Sequence, residues 1–425
     1  MNKTNTERVG VVGLGYIGLP LALSMIDAGY DVVGVDINDG RISQLDDGKS
    51  YVTDVSNERI RTALERGFTP TTDYEDLDEV TGVAVCVPTP LRKTGSPNMS
   101  YVVDAVERLA AVVREGTTII TESTVYPGAT SELVVPAFED AGFVVGEDIF
   151  LAFSPERIDP GNEEYAPHEI PKVLGGVTDE CGNRAEALYT PVFDEIIRVN
   201  SATEAELVKL LENTFRAVNI GLINELAQVA YELDVDIWSA IDAASTKPFG
   251  FMPFYPGPGL GGHCIPVDPT FLSWKANQQD LETRFIDLAD RINREMPEHV
   301  VHRVTKLVND NSIALPDARV LIVGAAYKPD VSDTRESPAH DVIQLLEERG
   351  TDVVYHDPHV PEFETDGRTY ESVSLTPDTL KTCDIAVILT NHDAVEIGDI
   401  IESAPLVFDT RNATRGDQKS TIHRL

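Results

Sequence analysis

The segment RVGVVGLGYIGLPLALSMIDAGYDVVGVD, from Arg8 to Asp36, constrains the fold more than any other stretch of the chain. A short β-branched run breaks into glycines where an amphipathic helix begins, and a second strand ends in an acid. Strand, glycine turn, helix, strand and acid form the βαβ unit that binds dinucleotides. In GLGYIG, Gly13 provides the tight turn, Gly15 lets backbone approach a pyrophosphate, and Gly18 allows close packing of the helix. Asp36 is placed for a ribose 2′-hydroxyl and repels a 2′-phosphate, so NAD is expected rather than NADP. Arg41, five residues on, either softens that preference or is a solvated helix residue.

The same pattern returns near the C-terminus, where RVLIVGAAYKP and DVVYHDP read as a degraded copy. Gly324 matches Gly13 and Asp357 matches Asp36, but the later glycines are missing, so a second dinucleotide is not expected there. Between the copies, GVAVCVPTP, TTIITESTVYPG and FLAFSPE read as further strands separated by helices. This alternation predicts an α/β fold of two Rossmann-like, doubly wound domains with parallel sheets. From Ser201, helical periodicity runs for about thirty residues, with Thr203 and Glu206 spaced as a capping box and Leu207, Leu210, Leu211 and Phe215 as a core face. The expected organisation is an N-terminal domain over 1–200, a helical middle over 201–312 and a C-terminal domain over 313–425. The reactive site is expected in the cleft between the outer two.

The net charge of −37, from 71 acidic and 34 basic residues spread along the chain, disfavours nucleic acid and anionic membranes as partners. Only 11 of the basic residues are lysine, and the composition resembles proteins of salt-loving archaea. Self-repulsion should then destabilise the fold at low ionic strength. The melting temperature is expected to rise from dilute buffer to molar KCl, and an unchanged value would contradict this reading. The four cysteines, Cys86, Cys181, Cys264 and Cys383, lie far apart without metal-ligand spacing, so no metal site or disulfide is expected. With no apolar leader and no run of 18 apolar residues, a soluble cytoplasmic protein is expected.

Four chemical features stand apart from the scaffold. In GPGLGGHCIPVDP, four glycines and three prolines surround Cys264, a context that favours a reactive thiol over a packed one. Asp268 lies one helical turn beyond it, and His263, adjacent to the cysteine, reads as a supporting residue rather than a base. Lys209 and Asn213, four apart on the long helix, share a face and point a cation and an amide toward one developing oxyanion; as an isolated pair they would be an exposed polar stripe. Glu156 in SPERIDPGN, Thr89 and Thr124 all sit just past strand ends, where ligands bind in open α/β sheets.

Together GLGYIGLP, CVPTPL, ESTVYPG, SPERIDPGN, ELVKLLENTFRAVNI, GPGLGGHCIPVDP and AYKPDVSDTRESPA resemble the UDP-sugar 6-dehydrogenases, in order and over essentially the whole chain. STKPFGFMPFYPGPGLGGHCIPVDP is most similar to the UDP-N-acetylglucosamine branch; the UDP-glucose branch typically has a lysine where this chain has Val267. The resemblance implies an NAD-dependent, four-electron oxidation of C6 through a thiohemiacetal and a thioester on Cys264. It implies that Lys209 and Asn213 stabilise the oxyanion, that Asp268 and Glu156 handle water and protons, and that Thr124 holds a relay water. It places Gly13, Gly15, Tyr16, Ile17, Gly18, Asp36, Arg41, Thr89, Thr124 and Arg335 at the cofactor. It places Glu156, Arg157, Lys209, Asn213, Phe254, Tyr255, Gly257, Gly261 and Lys328 at the UDP-sugar, and implies a homodimer or larger homo-oligomer. UDP-N-acetylmannosamine and UDP-glucose are alternative substrates. A two-electron 3-hydroxyacid-type dehydrogenase and a non-catalytic NAD-binding protein are the other readings, and neither needs the cysteine.

Overall fold

A computed structural model describes residues 7–52, 55–157, 167–262, 264–365 and 367–425. The chain packs as two compact units, one of Met1–Glu212 with Thr270–Leu281 and one of Asn213–Pro269 with Glu282–Leu425.

The first unit is built on an eight-stranded sheet of β1 (Arg8–Val12), β2 (Asp31–Val35), β3 (Phe68–Thr71), β4 (Gly82–Val85), β5 (Thr118–Thr121), β6 (Phe150–Phe153), β7 (Lys172–Gly176) and β8 (Ile196–Arg198). The order is β3-β2-β1-β4-β5-β6-β7-β8. The direction of winding therefore reverses between β1 and β4, the switch point at which such sheets bind ligands. Val9, Val11, Val12 and Val83 to Val85 are fully buried, because helices cover both faces and the strands read as continuous apolar runs. Each such valine contributes about 1.5–3 kcal/mol on burial.

One pairing departs from the parallel expectation, since β6 and β7 run antiparallel, with Phe153 opposite Gly175. β7 is also a strand that sequence periodicity hides, because KVLGG ends in two glycines. Those glycines are steric necessities: a Cβ on Gly175 would lie 2.0 Å from the Ser201 carbonyl oxygen, and one on Gly176 would lie 2.3 Å from the Gly182 nitrogen.

The second unit holds a parallel sheet of β9 (Arg319–Val323), β10 (Asp352–His356), β13 (Ile385–Ile388), β14 (Val407–Asp409) and β15 (Ile422–Arg424), in the order β10-β9-β13-β14-β15. A hairpin of β11 (Glu362–Thr365) and β12 (Arg368–Glu371) stands beside it. Helix Arg284–Asp310 buries Met296, Val300, Val304 and Val308 against the same core as β9. Among the described residues no helix is long and apolar enough to cross a membrane.

The long helix spans Ala202–Glu232, and two expectations about it are corrected. Thr203 and Glu206 do not form a capping box; the Ser201 hydroxyl accepts the Glu204 amide at 3.2 Å. Glu206 is fully buried and accepts from the Gly128 and Thr130 amides at 2.5 and 2.8 Å and from the Thr130 hydroxyl at 2.6 Å. Leu210 is core, but Leu207, Leu211 and Phe215 are exposed, and the stripe continues through Leu222, Leu226, Val229 and Leu233. Period 3.6 identifies an apolar stripe without saying what it faces.

Candidate functional site

At the end of β1 the chain turns at Gly13, with φ +91°, and the Gly13 amide donates to the Val35 carbonyl at 2.8 Å. A Cβ on Gly13 would lie 2.5 Å from the Cys86 carbonyl oxygen beyond β4, and one on Gly18 would lie 1.8 Å from the Gly13 carbonyl oxygen. These two glycines are thus required by the fold. At Gly15 a Cβ would meet no protein atom within 4 Å, which leaves open space at the helix N-terminus, where a pyrophosphate binds in such units. Ile17 occupies the N-cap position of helix Gly18–Asp27 without a side-chain capping bond, and Tyr16 is exposed at the turn. Asp36 accepts the Leu14 amide at 3.0 Å and the Asn38 amide at 2.9 Å. Arg41 forms a 3.1 Å ion pair with Asp36, so it is drawn to the acid rather than left in solvent. The residues present fit a dinucleotide.

The copy repeats the turn in detail. Gly324 also has φ +91°, its amide donates to His356 at 2.8 Å, and Asp357 accepts the Ala325 and Ala326 amides at 2.7 and 2.9 Å. Here, however, His392 Nε2 binds Asp357 at 3.0 Å, while its Nδ1 accepts the Asp330 amide at 3.0 Å. The acid is spoken for: although burial opposes its charge, these bonds hold the Asp357 carboxyl down at about 2. Asp330, His359 and His392 are spaced as metal ligands, but both His392 nitrogens are committed to these bonds.

In the first unit, Glu156 lies beyond β6 and is only 8% exposed, which removes the solvated-loop reading. Its carboxylate meets Lys172 Nζ at 3.0 Å, and Lys172 meets Glu122 at 2.9 Å. The Tyr189 hydroxyl donates to Glu122 at 2.5 Å. Burial opposes the charge on Lys172, but the two carboxylates outweigh it and keep the ammonium protonated; burial pushes the Glu122 carboxyl upward. Lys209, 6% exposed, donates from Nζ to the Glu156 carbonyl oxygen at 2.8 Å, so it too is no exposed stripe. Arg157 is clamped by Glu212 at 2.7 Å and by the Pro171 carbonyl at 2.6 Å. Thr124 follows β5 half-buried, and Thr89 is buried beyond β4.

In the second unit, Cys264 is the first residue of helix Cys264–Asn277, the position where a macrodipole most favours an anion. Proline at 266 suits that first turn, whose N–H groups have no intrahelical acceptor. Asp268 is buried one turn later, and Asn213 Nδ2 donates to it at 2.6 Å. His263 and residues 158–162 of SPERIDPGN lie outside the described residues.

The glycines before the cysteine have a packing reason. A Cβ on Gly257 would lie 2.6 Å from Arg411 Nη1, and one on Gly261 would lie 2.6 Å from Tyr327 Cβ. The Gly257 amide donates to the buried Asn224 at 3.0 Å, and Asn224 in turn bonds Asn293 at 2.9 Å. Phe254 meets Phe215 edge-on at 5.6 Å, while Tyr255 stacks on Trp238 and donates to Asp242 at 2.9 Å. Lys328 is partly buried in the loop after β9, and Arg335 is held by Asp333.

Two groups escaped the sequence reading. Arg411, just past β14, donates through Nε to the Leu389 carbonyl at 2.7 Å. It makes no ion pair among the described residues, and burial lowers its pKa to about 10 despite Asp409. A cation directly after the strand in LVFDTRN was the available signal. Lys172 was hidden because its strand was.

The family models named for the UDP-glucose/GDP-mannose dehydrogenase family match throughout: the NAD binding domain over residues 7–193, the central domain over 203–295 and the UDP binding domain over 321–416. A UDP-N-acetyl-D-mannosamine dehydrogenase of Methanococcus maripaludis is 35% identical over 96% of this chain and 93% of its own. A UDP-N-acetyl-D-glucosamine 6-dehydrogenase of Pseudomonas aeruginosa is 38% identical over 83% of each. The solved structure of the UDP-D-ManNAc dehydrogenase of Pyrococcus horikoshii superposes with a TM-score of 0.89 at 33% identity, covering 98% of both chains.

Proposed function

Because the chain belongs to the UDP-glucose/GDP-mannose dehydrogenase family and is an NAD-dependent UDP-sugar dehydrogenase, we propose that it oxidises C6 of a UDP-N-acetylhexosamine to the uronate, with UDP-N-acetylglucosamine as the preferred sugar. The observation that carries this reading is the Asn213–Asp268 contact of 2.6 Å, one helical turn from Cys264. When bound, NAD accepts one hydride in each of two oxidations. The first takes the C6 alcohol to an aldehyde, and Lys209 and Asn213 stabilise the oxygen as its charge develops. The Cys264 sulfur then adds to the aldehyde carbon, and the resulting thiohemiacetal is an alcohol that is oxidised again, to a thioester. The hydroxyl proton of the first oxidation leaves through a relay water held by Thr124, and a second water, deprotonated with help from Asp268 or Glu156, displaces the sulfur and releases the carboxylate. Arg411, which makes no ion pair among the described residues, and Lys328 supply positive charge for the substrate diphosphate.

The relatives' names favour a second reading, the C2 epimer UDP-N-acetylmannosamine. Comparing kcat/KM for UDP-N-acetylglucosamine, UDP-N-acetylmannosamine and UDP-glucose with NAD decides between them. The preferred reading requires the first to lead by at least tenfold, and a lead for either other sugar overturns it.

The exposed stripe of the long helix, from Leu207 to Leu233, is the surface we assign to a homodimer, since soluble monomers rarely expose an apolar patch of this extent. Introducing Leu211→Glu with Leu226→Glu should reduce the mass in sedimentation to that of one chain, 46.5 kDa, with little loss of melting temperature. A wild-type monomer, or an intact dimer of the double variant, contradicts the assignment.

A further inference from the structure

The antiparallel β7 brings a charge to the end of the sheet where Glu156 stands. Phe153 on β6 pairs with Gly175 on β7, and extending that register by three residues places Lys172 opposite Glu156. A parallel β7 would begin at the opposite end of the strands. As built, one ammonium lies within 3.0 Å of two carboxylates, Glu156 and Glu122, and all three side chains are buried.

We propose that Lys172 is a positioning residue for Glu156, holding its carboxylate ionised and in place without touching the substrate. The inference rests on the reading of Glu156 as a proton-handling group. Among the described residues, the groups facing the cluster include Glu122 beyond β5, Glu156 beyond β6, the Tyr189 hydroxyl on helix Asp179–Tyr189, the Cys86 thiol beyond β4 and the ring of Phe193. Lys209 donates to the Glu156 carbonyl rather than to its carboxylate. The Arg157 amide donates to the Glu156 carboxylate at 2.7 Å, but the Arg157 guanidinium is spent on Glu212. Among the described residues, Lys172 is a cation bonded to both acids. Without it, two buried like charges face each other and one must take up a proton near neutrality. A protonated Glu156 no longer accepts a proton, so the acid limb of the rate profile moves to higher pH. Glu122 sets the balance from the other side, since a neutral residue there leaves Lys172 wholly to Glu156 and moves the limb to lower pH.

The test is the pH profile of kcat, with saturating NAD and the UDP-sugar that wild type turns over, for Lys172→Met, Lys172→Arg, Glu122→Gln, the double variant Glu122→Gln/Lys172→Met, and Glu156→Gln. Lys172→Met should lose at least tenfold in kcat at neutral pH, shift the acid limb up by at least one pH unit and change KM less than threefold. Lys172→Arg should keep most of the rate, and the double variant should move the limb back toward wild type. If Lys172→Met does not fold, Glu122→Gln alone decides: a limb moved downward supports the inference and an unmoved limb overturns it. A folded Lys172→Met with the wild-type profile overturns it as well, as does a loss of rate with no shift of the limb. A Glu156→Gln enzyme at full rate instead sinks the underlying role of Glu156. Impairment of Glu156→Gln beside an unaffected Lys172→Met leaves that role standing and removes Lys172 from it.

Discussion

Replacing Cys264 with serine should stop the reaction at or after the first oxidation, with steady-state NADH formation falling on the order of 10³-fold or more. A serine hydroxyl has no useful anionic fraction at neutral pH, whereas a thiol at a helix N-terminus is biased toward thiolate. Alkoxide is also a far poorer leaving group than thiolate, so any ester formed would hydrolyse slowly. The variant should fold and bind NAD as wild type does, because the change is one atom at a loop-to-helix junction. Stopped-flow NADH formation with limiting enzyme, together with analysis of the sugar product, separates the steps. Normal uronate production by this variant would exclude the covalent route.

Lys209→Ala should cost roughly 3 kcal/mol of transition-state stabilisation, about two decades of kcat. The ammonium is buried and held by the Glu156 carbonyl at 2.8 Å. It therefore requires little reorganisation as charge develops on the substrate oxygen. Because its work is done mainly in the transition state, KM should change much less than kcat. A variant that loses affinity alone would place Lys209 in substrate binding instead.

Local chemistry made the scaffold legible. Gly13 and Gly324 share the same φ and the same amide-to-strand bond, and a left-handed turn directly after a strand can be read from a glycine in its context. That Lys209 and Asn213 lie one turn apart on helix Ala202–Glu232, and Asp268 one turn beyond Cys264 on helix Cys264–Asn277, could be read from spacing as well. Contacts between distant segments could not. Glu122 and Lys172 are fifty residues apart, and the strand carrying the lysine ends in glycines demanded by Ser201 and Gly182. Leu207, Leu211 and Phe215 are exposed, unlike Leu210, because the buried side of the long helix carries Glu206 and Lys209, polar residues whose partners come from elsewhere in the chain. The sequence marks Arg411 only as a cation directly after a strand, and its lack of an ion pair among the described residues is decided by segments distant in the chain.

The most direct measurement is the amount of NADH formed from a limiting, known quantity of UDP-N-acetylhexosamine, with excess NAD in molar KCl. Two NADH per sugar, with the uronate as product, is the result expected of four-electron oxidation through a cysteine thioester. One NADH per sugar, with aldehyde as product, would contradict it.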